Sequence, residues 1–390
     1  MGRRRFLGAL TSVGVSGAAA GYLDSEALSR LTDDPSEEVP RLERLKHPDY
    51  EMLVAGEPPE QREPIFYTIP RDEWAHVEGT KNAAENVHQR LRREIPRKAQ
   101  LRVGVRQSSR TGPRNLEVVV KYTPTAAAAD LEDRLKDLTS AEMSGTVAGP
   151  HGEETVDGIP VQLEATGPVT PDGFYDYKYR PVPAGCQIRH SGGSRCTSGT
   201  PVVDNATGIY LFVTAGHCTD EGETVRQPRR RWGGNSIGTT FESEYQTDAD
   251  GDFVAGFDAA TIDTHVGHSW RLAENEEDGY RDNYIWGSVA WDYLSDHVGQ
   301  ATFGQQGRTS GRRWGSLDAI YPSIDWVECD TVSEGGDSGG PVFDTRYNSA
   351  AGRTEDYIVS IHSASPSDAD RPSWGTAMAS IESQFDVRVW

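Results

Sequence analysis

Lysine is nearly missing from this sequence. Its 390 residues include six lysines, none after Lys178, and 39 Lys+Arg face 60 Asp+Glu for a formal net charge of −21. Nucleic acid and anionic membrane surfaces repel such a chain, so neither is expected as a partner. Carboxylates in this excess, with arginine in place of lysine, resemble the surface of a protein from a high-salt medium, where counter-ions screen self-repulsion. The plainer reading is an acidic soluble protein. Cysteine is also scarce, at Cys186, Cys196, Cys218 and Cys329. No C-x-x-C pair and no His/Cys cluster at ligand spacing occurs, which argues against a zinc site. Beyond the N-terminus no stretch approaches about 18 apolar residues, so no membrane-spanning helix is expected. No internal repeat of solenoid period is present. A chain of this length has room for two or three domains with their own cores.

The chain opens MGRRRFLGALTSVGVSGAAAGYL. A basic start, a mildly apolar run and then Ala18-Ala19-Ala20 predict a signal peptide over residues 1–20, too weakly apolar to span a membrane. Arg3-Arg4-Arg5-Phe6-Leu7 resembles the twin-arginine export signal, whose cargo leaves the cell folded. No cysteine follows, so no lipid anchor is expected. The protein is read as secreted and extracellular, where an even cysteine count implies two disulfides.

Residues 21–98 form a polar N-terminal segment, predicted extended or loosely packed to about residue 70. One helix is expected over 81–95, where Ala84, Val87, Leu91 and Ile95 recur at helical spacing and Pro96 ends the run. Residues 99–171 read as a small α+β module. Strands are predicted at LRVGVR (101–106) and LEVVVKY (116–122), then a helix capped by Thr125 with Leu131, Leu135 and Leu138 on one face, then a turn and strand in VDGIPVQLEA (156–165). No catalytic constellation occurs in the module, which is either a removable prosegment or an attached accessory domain. From residue 172 helical periodicity vanishes and short strands alternate with turn signals, as in TPVVDNATGIYLFVTAGHC (200–218). The charged stretch RLAENEEDGYRDN (271–283) reads as a break between two β units. The fold class expected is an all-β catalytic region preceded by a small α+β module.

EGGDSGGPVF (334–343) admits two nucleophile readings. Its centre fits G-x-S-x-G, the elbow of lipases and esterases, in which an acid and then a histidine follow the serine. Asp356 and His362 do follow Ser338, yet only 52 residues remain and no strand–helix alternation precedes them. A serine nucleophile needs a base in reach and an anion to orient that base. His217 follows an apolar strand in TAGHC, whereas most other histidines stand in polar surroundings. Asp258, in FDAATI, is flanked by apolar residues as a buried orienting carboxylate should be, and Asp263 is its rival.

TAGHC, FDAATI and GDSGGP in this order resemble the three catalytic segments of the chymotrypsin/trypsin-like serine proteases. GQQGRTSGRRWGSL (304–317) is similar to a segment of the bacterial streptogrisin-type branch. The resemblance covers roughly residues 172–390 and implies two six-stranded antiparallel β-barrels, about 180–270 and 284–390, with the active site between them. It implies that Ser338 attacks, that His217 takes and returns the proton, and that Asp258 orients His217. The backbone N–H groups of Gly336 and Ser338 would bind the oxyanion. Asp337 would brace the loop by an ion pair, with Arg308 as partner, since no activation motif supplying an internal N-terminus is present. A disulfide Cys196–Cys218 matches the family pattern, which leaves Cys186 with Cys329.

For the primary pocket the resemblance implies three walls: Val332 to Gly335, Ser363-Ala364-Ser365 in SIHSAS, and WGTA (374–377), where Gly375 leaves room. A histidine at His362 resembles the glutamyl endopeptidase branch, in which imidazole and small hydroxyls, here Ser333 and Ser365, hold a substrate carboxylate. The competing pocket reading is a neutral, packed His362 and a preference for large apolar side chains. In TDADGDF (247–253), Asp248, Asp250 and Asp252 suit oxygen coordination of calcium, although a halophilic surface carries such loops anyway. No other cofactor or metal is expected. Partners would be protein or peptide substrates of a monomeric serine endopeptidase. An inactive binding homologue and an esterase using the same serine are the alternatives.

Overall fold

The computed structural model describes residues 38–389, except 56, 58–61, 95–100, 109–115, 123–142, 150–151, 166–168, 171–177, 191–194, 228–234, 248–253, 275–278 and 367–371. The signal peptide, the helix expected after Thr125 and the calcium loop at Asp248, Asp250 and Asp252 therefore lie outside the described residues.

The N-terminal half holds β1 (Glu38–Lys46), α1 (Tyr50–Ala55), β2 (Glu63–Pro70), α2 (Arg71–Glu94), β3 (Arg102–Gln107), β4 (Leu116–Tyr122), β5 (Met143–Gly149), β6 (Gly152–Ile159), β7 (Val161–Ala165) and β8 (Val169–Thr170). Strands β3 and β4 fall where the alternation of LRVGVR and LEVVVKY placed them. Helix α2 starts ten residues earlier than the periodicity showed, directly after Pro70, which cannot donate to a continuing ladder. The described strands before residue 70 are well packed: β1 and β2 pair along their length, and Val39, Leu42, Leu45 and Ile69 form a buried cluster with Trp74. Those apolar positions alternate too irregularly among Glu and Arg to register as a strand, because β1 buries arginine as well as leucine.

The C-terminal half contains β9 (Val182–Ala184), β10 (Gln187–Arg189), β11 (Arg195–Thr197), β12 (Pro201–Asp204), β13 (Tyr210–Thr214), β14 (Thr224–Arg226), β15 (Ser236–Glu244) and β16 (Ala259–Thr264). It continues with β17 (His268–Ala273), β18 (Tyr280–Val289), α3 (Trp291–Asp296), β19 (Thr302–Gly307), β20 (Gly311–Tyr321), β21 (Trp326–Cys329), β22 (Pro341–Asn348), β23 (Arg353–Pro366), β24 (Ser373–Ala377), α4 (Met378–Gln384) and β25 (Val387–Val389). Two β units result, as the fold class required. The first is an antiparallel sheet ordered β11-β10-β14-β15-β16-β13-β12-β25. Its last member comes from the far end of the chain, so the boundary expected near 270–284 does not separate the two units cleanly. Strands β17 and β18 take up 271–273 and 280–283 of the charged stretch, and its centre, 275–278, lies outside the described residues.

The second unit belongs to a larger sheet that runs on into the N-terminal module. Its path is β2-β1-β18-β23-β22-β19-β20-β3-β4-β7. The module thus pairs at both ends, β1 against β18 and β3 against β20. Buried charges tie the junctions. Arg41 meets Glu78 on α2 at 2.8 Å and, across the junction, Asp296 at 2.8 Å and Asp292 at 3.7 Å on α3. Lys121 on β4 meets Glu328 on β21 at 2.5 Å, and the Tyr321 hydroxyl donates to the same carboxylate. The Arg102 guanidinium lies 4.0 Å from the centre of the Trp374 ring, which stacks on Trp326.

Candidate active site

His217 sits in a single 3-10 turn, Gly216–Cys218, at the end of β13. The buried strand β13 aims this turn at the start of β16, where Asp258 precedes the first strand residue. The Asp258 carboxylate accepts the His217 backbone N–H through Oδ1 at 2.9 Å and meets Nδ1 through Oδ2 at 2.8 Å. Asp258 is fully buried. Its rival Asp263 points to solvent from β16. Burial acts most strongly on the His217 ring and lowers its pKa, yet the charge and hydrogen bond of Asp258 together carry it above the ordinary value.

Thr376 on β24 fastens Asp258 from the other β unit. Its Oγ1 accepts the Asp258 backbone N–H and donates to the Asp258 carbonyl, both at 3.1 Å. The sequence offered no sign of this residue, because the contact joins positions 118 apart on separate sheets.

Ser338 lies against the same turn. Its carbonyl accepts from the Thr197 backbone N–H at 2.7 Å and lies 3.8 Å from Cys218 Sγ, which is 3.9 Å from His217 Nε2. Its Oγ donates to the Ser363 carbonyl at 3.3 Å. The loop could not approach so closely with a side chain at 339: a Cβ there would stand 2.1 Å from Thr214 Oγ1 and 2.3 Å from the Thr197 carbonyl, at φ +87°. Gly336, also at positive φ, gives its carbonyl to Thr197 Oγ1 at 2.6 Å. Among the described residues, no backbone carbonyl accepts the N–H groups of Gly336 and Ser338.

The loop is braced through the Asp337 carboxylate. Asp337 is held by backbone N–H groups, from Thr309 at 2.8 Å, Ser310 at 3.3 Å and Glu334 at 2.9 Å. Arg308 is itself buried, and its backbone N–H donates to Thr197 Oγ1. Burial, the largest influence, raises the Asp337 pKa, and the backbone hydrogen bonds only partly offset it. The second disulfide is also corrected. Cys196–Cys218 is formed, but Cys186 and Cys329 are free and buried. Cys186 packs in the core of the first unit and Cys329 in that of the second, so the pairing by remainder joined two residues that face separate cores.

Around the expected pocket, Ser333 and Ser365 are buried and share a hydrogen bond. His362 is fully buried on β23, with Nδ1 held by Ser373 Oγ at 2.7 Å. Ser373 was not foreseen. His362 Nε2 and Ser363 Oγ are buried without a hydrogen-bond partner among the described residues. Burial chiefly, and then the nearby His217 charge, lower the His362 pKa to about 3. A Cβ at Gly375 would press on the Ile361 carbonyl at 2.4 Å, so the glycine allows β23 and β24 to pair.

No family model matches the chain. It is 31% identical over 168 residues to Serine protease 1 of Streptomyces fradiae, a match covering 41% of each protein, so the chain spans about two fifths of that relative's length. Solved structures of similar outline include a Cellulomonas bogoriensis chymotrypsin, 21% identical with TM-score 0.38, covering 54% of this chain and 98% of that one. Thermobifida fusca protease A is 17% identical with TM-score 0.38, covering 53% and 97%. A glutamic acid-specific serine protease described as using a histidine triad in substrate binding is 20% identical with TM-score 0.38, covering 54% and 100%. In its three motifs, its two β units and the sequence it shares with a bacterial serine protease, the chain resembles the chymotrypsin/trypsin-like serine proteases.

Proposed function

We propose that the protein is a secreted serine endopeptidase. The observation that carries this reading is the double hold of Asp258 on His217. With Nδ1–H donated to the carboxylate, the free lone pair of the neutral ring is on Nε2, beside the loop that presents Ser338. Ser338 Oγ attacks the scissile carbonyl while His217 Nε2 takes its proton, then gives that proton to the departing amine. The oxyanion is received by the N–H groups of Gly336 and Ser338, a contribution of about 10²–10³ in rate per donor. Water then repeats the cycle on the acyl-enzyme. A sulfonyl-fluoride probe tests the reading. Covalent labelling of Ser338 with loss of peptide hydrolysis supports it; an unlabelled Ser338 would point to a binding homologue, and ester hydrolysis without any peptide cleavage to an esterase.

The preferred residue before the cut is acidic. If the Ser373 hydroxyl donates to Nδ1, the neutral His362 ring carries its proton on Nε2, a buried donor that lacks a partner and suits a carboxylate acceptor. The Ser365 hydroxyl, farther along β23, and the Ser333 hydroxyl, in the loop before Ser338, share a hydrogen bond. Peptide-library profiling decides between Glu or Asp and the apolar alternative of Phe, Tyr or Leu.

The N-terminal module acts as a prosegment that folds against the second unit and is then cut away. Its edge-to-edge pairing at β18 and β20 supports this role, because it covers sheet edges while the unit assembles. N-terminal sequencing of the secreted protein tests removal, and a secreted chain that keeps the module would refute it.

A further inference from the structure

One face of the first β unit carries a charge pattern opposite to that of the whole chain. Ile188 on β10, Cys196 on β11 and Val225 on β14 pack in the core of that unit. Side chains alternate along a strand, so their neighbours Arg189, Arg195 and Arg226 point outward. The register sets the three side by side, Arg195 opposite Arg189 and Arg189 opposite Arg226. Arg189 and Arg195 are half-buried and Arg226 is exposed. Like charges directly opposite one another destabilise a sheet, and this row holds no carboxylate to offset them. The adjoining sequence adds none: residues 186–203 and 224–240 contain no Asp or Glu, in a chain that has 60.

The row lies beside the nucleophile. Thr197 stands two residues on from Arg195 and on the same face, about 7 Å along the strand. Its Oγ1 donates to the Gly336 carbonyl at 2.6 Å, and its N–H donates to the Ser338 carbonyl at 2.7 Å. Cys196, between them, is bonded to Cys218, the residue after His217. On the other flank of Ser338 lies β23, whose Ser363 carbonyl accepts Ser338 Oγ at 3.3 Å. A substrate that lies along Ser363–Ser365 up to the cut therefore departs on the β11 side, past the arginines. Gln187, opposite Thr197 and on the arginine face, is buried with neither side-chain N nor O hydrogen-bonded among the described residues. A donor and an acceptor thus stand unspent next to the row, a state that calls for a polar guest.

We infer that Arg195, Arg189 and Arg226 form a binding row for carboxylate side chains in the part of a substrate that follows the cut. The protein thereby selects polypeptides that are acidic on their leaving side. This rests on the endopeptidase reading above and adds a region of specificity separate from His362. Guanidinium forks match carboxylates two bonds at a time, which suits arginine to this task. The whole protein, at −21, repels an acidic polypeptide. The row supplies attraction at the one place such a chain must pass, where local charge steers the encounter and fixes the register.

The test is hydrolysis of paired peptides, identical up to the cut and carrying either Asp and Glu or Asn and Gln after it. The ratio of kcat/KM values should favour the acidic member by about fivefold or more, chiefly through KM. The double variant Arg189→Gln/Arg195→Gln should bring that ratio to about one. Arg195→Lys, which keeps the charge, should retain most of the preference, and Arg195→Glu should turn it toward peptides with Lys after the cut. Labelling of Ser338 by the sulfonyl fluoride shows that each variant is folded. A parent protein that cuts both peptides equally, or an unchanged ratio in the double variant, overturns the inference. With Ser338 labelled and peptides still cut, the endopeptidase reading then stands and this one alone fails. An unlabelled Ser338 in the parent removes both.

Discussion

His217 can accept a proton only while its ring is neutral, and Asp258 holds its pKa above the ordinary histidine value. Acid therefore switches the enzyme off early: kcat/KM should fall as pH drops through a value above about 6.5. Asp258→Asn should lower kcat by about 10⁴ and remove that upward displacement, which a pH–rate profile reads directly. The same pair adds stability that is complete below the unfolded histidine pKa and fades as pH rises through the folded one. His362 behaves in the opposite sense. Its folded value of about 3 lies far below the unfolded one, so the unfolded state takes up the proton first as pH falls. Stability is lost from about pH 6.5 downward, and His362→Val should flatten the decline of Tm between about pH 6 and pH 4. The variant should also lose discrimination for Glu over Phe before the cut, measured as a ratio of kcat/KM values. An unchanged ratio would separate His362 from specificity. Both histidines stood out in the sequence by their local motifs. Thr376 and Ser373 did not, since a hydroxyl's value as a staple or ring-holder depends on which strand lies opposite.

At the scale of elements, the parts that could be read were those whose pattern is local. LEVVVKY is β4 from end to end, and the Asn/Gly turn between β12 and β13 joins two apolar runs. The β1–β2 hairpin was hidden because its partners are charged groups far along the chain, with Arg41 and Asp296 separated by 255 residues. Buried charge of this kind registers in sequence only as polarity. The junction between module and protease unit makes a measurable case in Lys121 and Glu328. Burial, the largest influence, pushes the Glu328 pKa up, but the Lys121 charge and the hydrogen bonds of Lys121 and Tyr321 bring it below the usual carboxylate value. Replacing Lys121 by Met leaves a buried anion without its cation, so Lys121→Met should destabilise the full chain by about 3–5 kcal/mol in urea unfolding. The double variant Lys121→Met/Glu328→Leu should recover most of that loss. A single variant as stable as the parent would mean that water reaches Glu328 when the module is docked.

For the whole molecule, a net charge of −21 makes ionic strength a structural variable. Dilution from about 1 M to about 0.1 M salt lengthens the screening distance from about 3 Å to about 10 Å. Carboxylate repulsion then acts across the surface, and both activity and Tm should fall. Equal or higher activity in dilute buffer would detach the acidic composition from salt adaptation. Folding order is governed by a different feature, β25. The strand that flanks β12, and so completes the sheet carrying His217, pairs Arg388 with Val203, and the Arg388 side chain reaches Asn205, 183 positions earlier. A ribosome delivers β12 long before β25, and contacts so distant in sequence form slowly because the intervening chain must first be ordered. Nascent chains would therefore carry Ser338 and His217 without a finished sheet to align them. Alignment of His217 with Ser338 should therefore lag behind synthesis of the loop that carries Ser338, until β25 has emerged and closed the sheet.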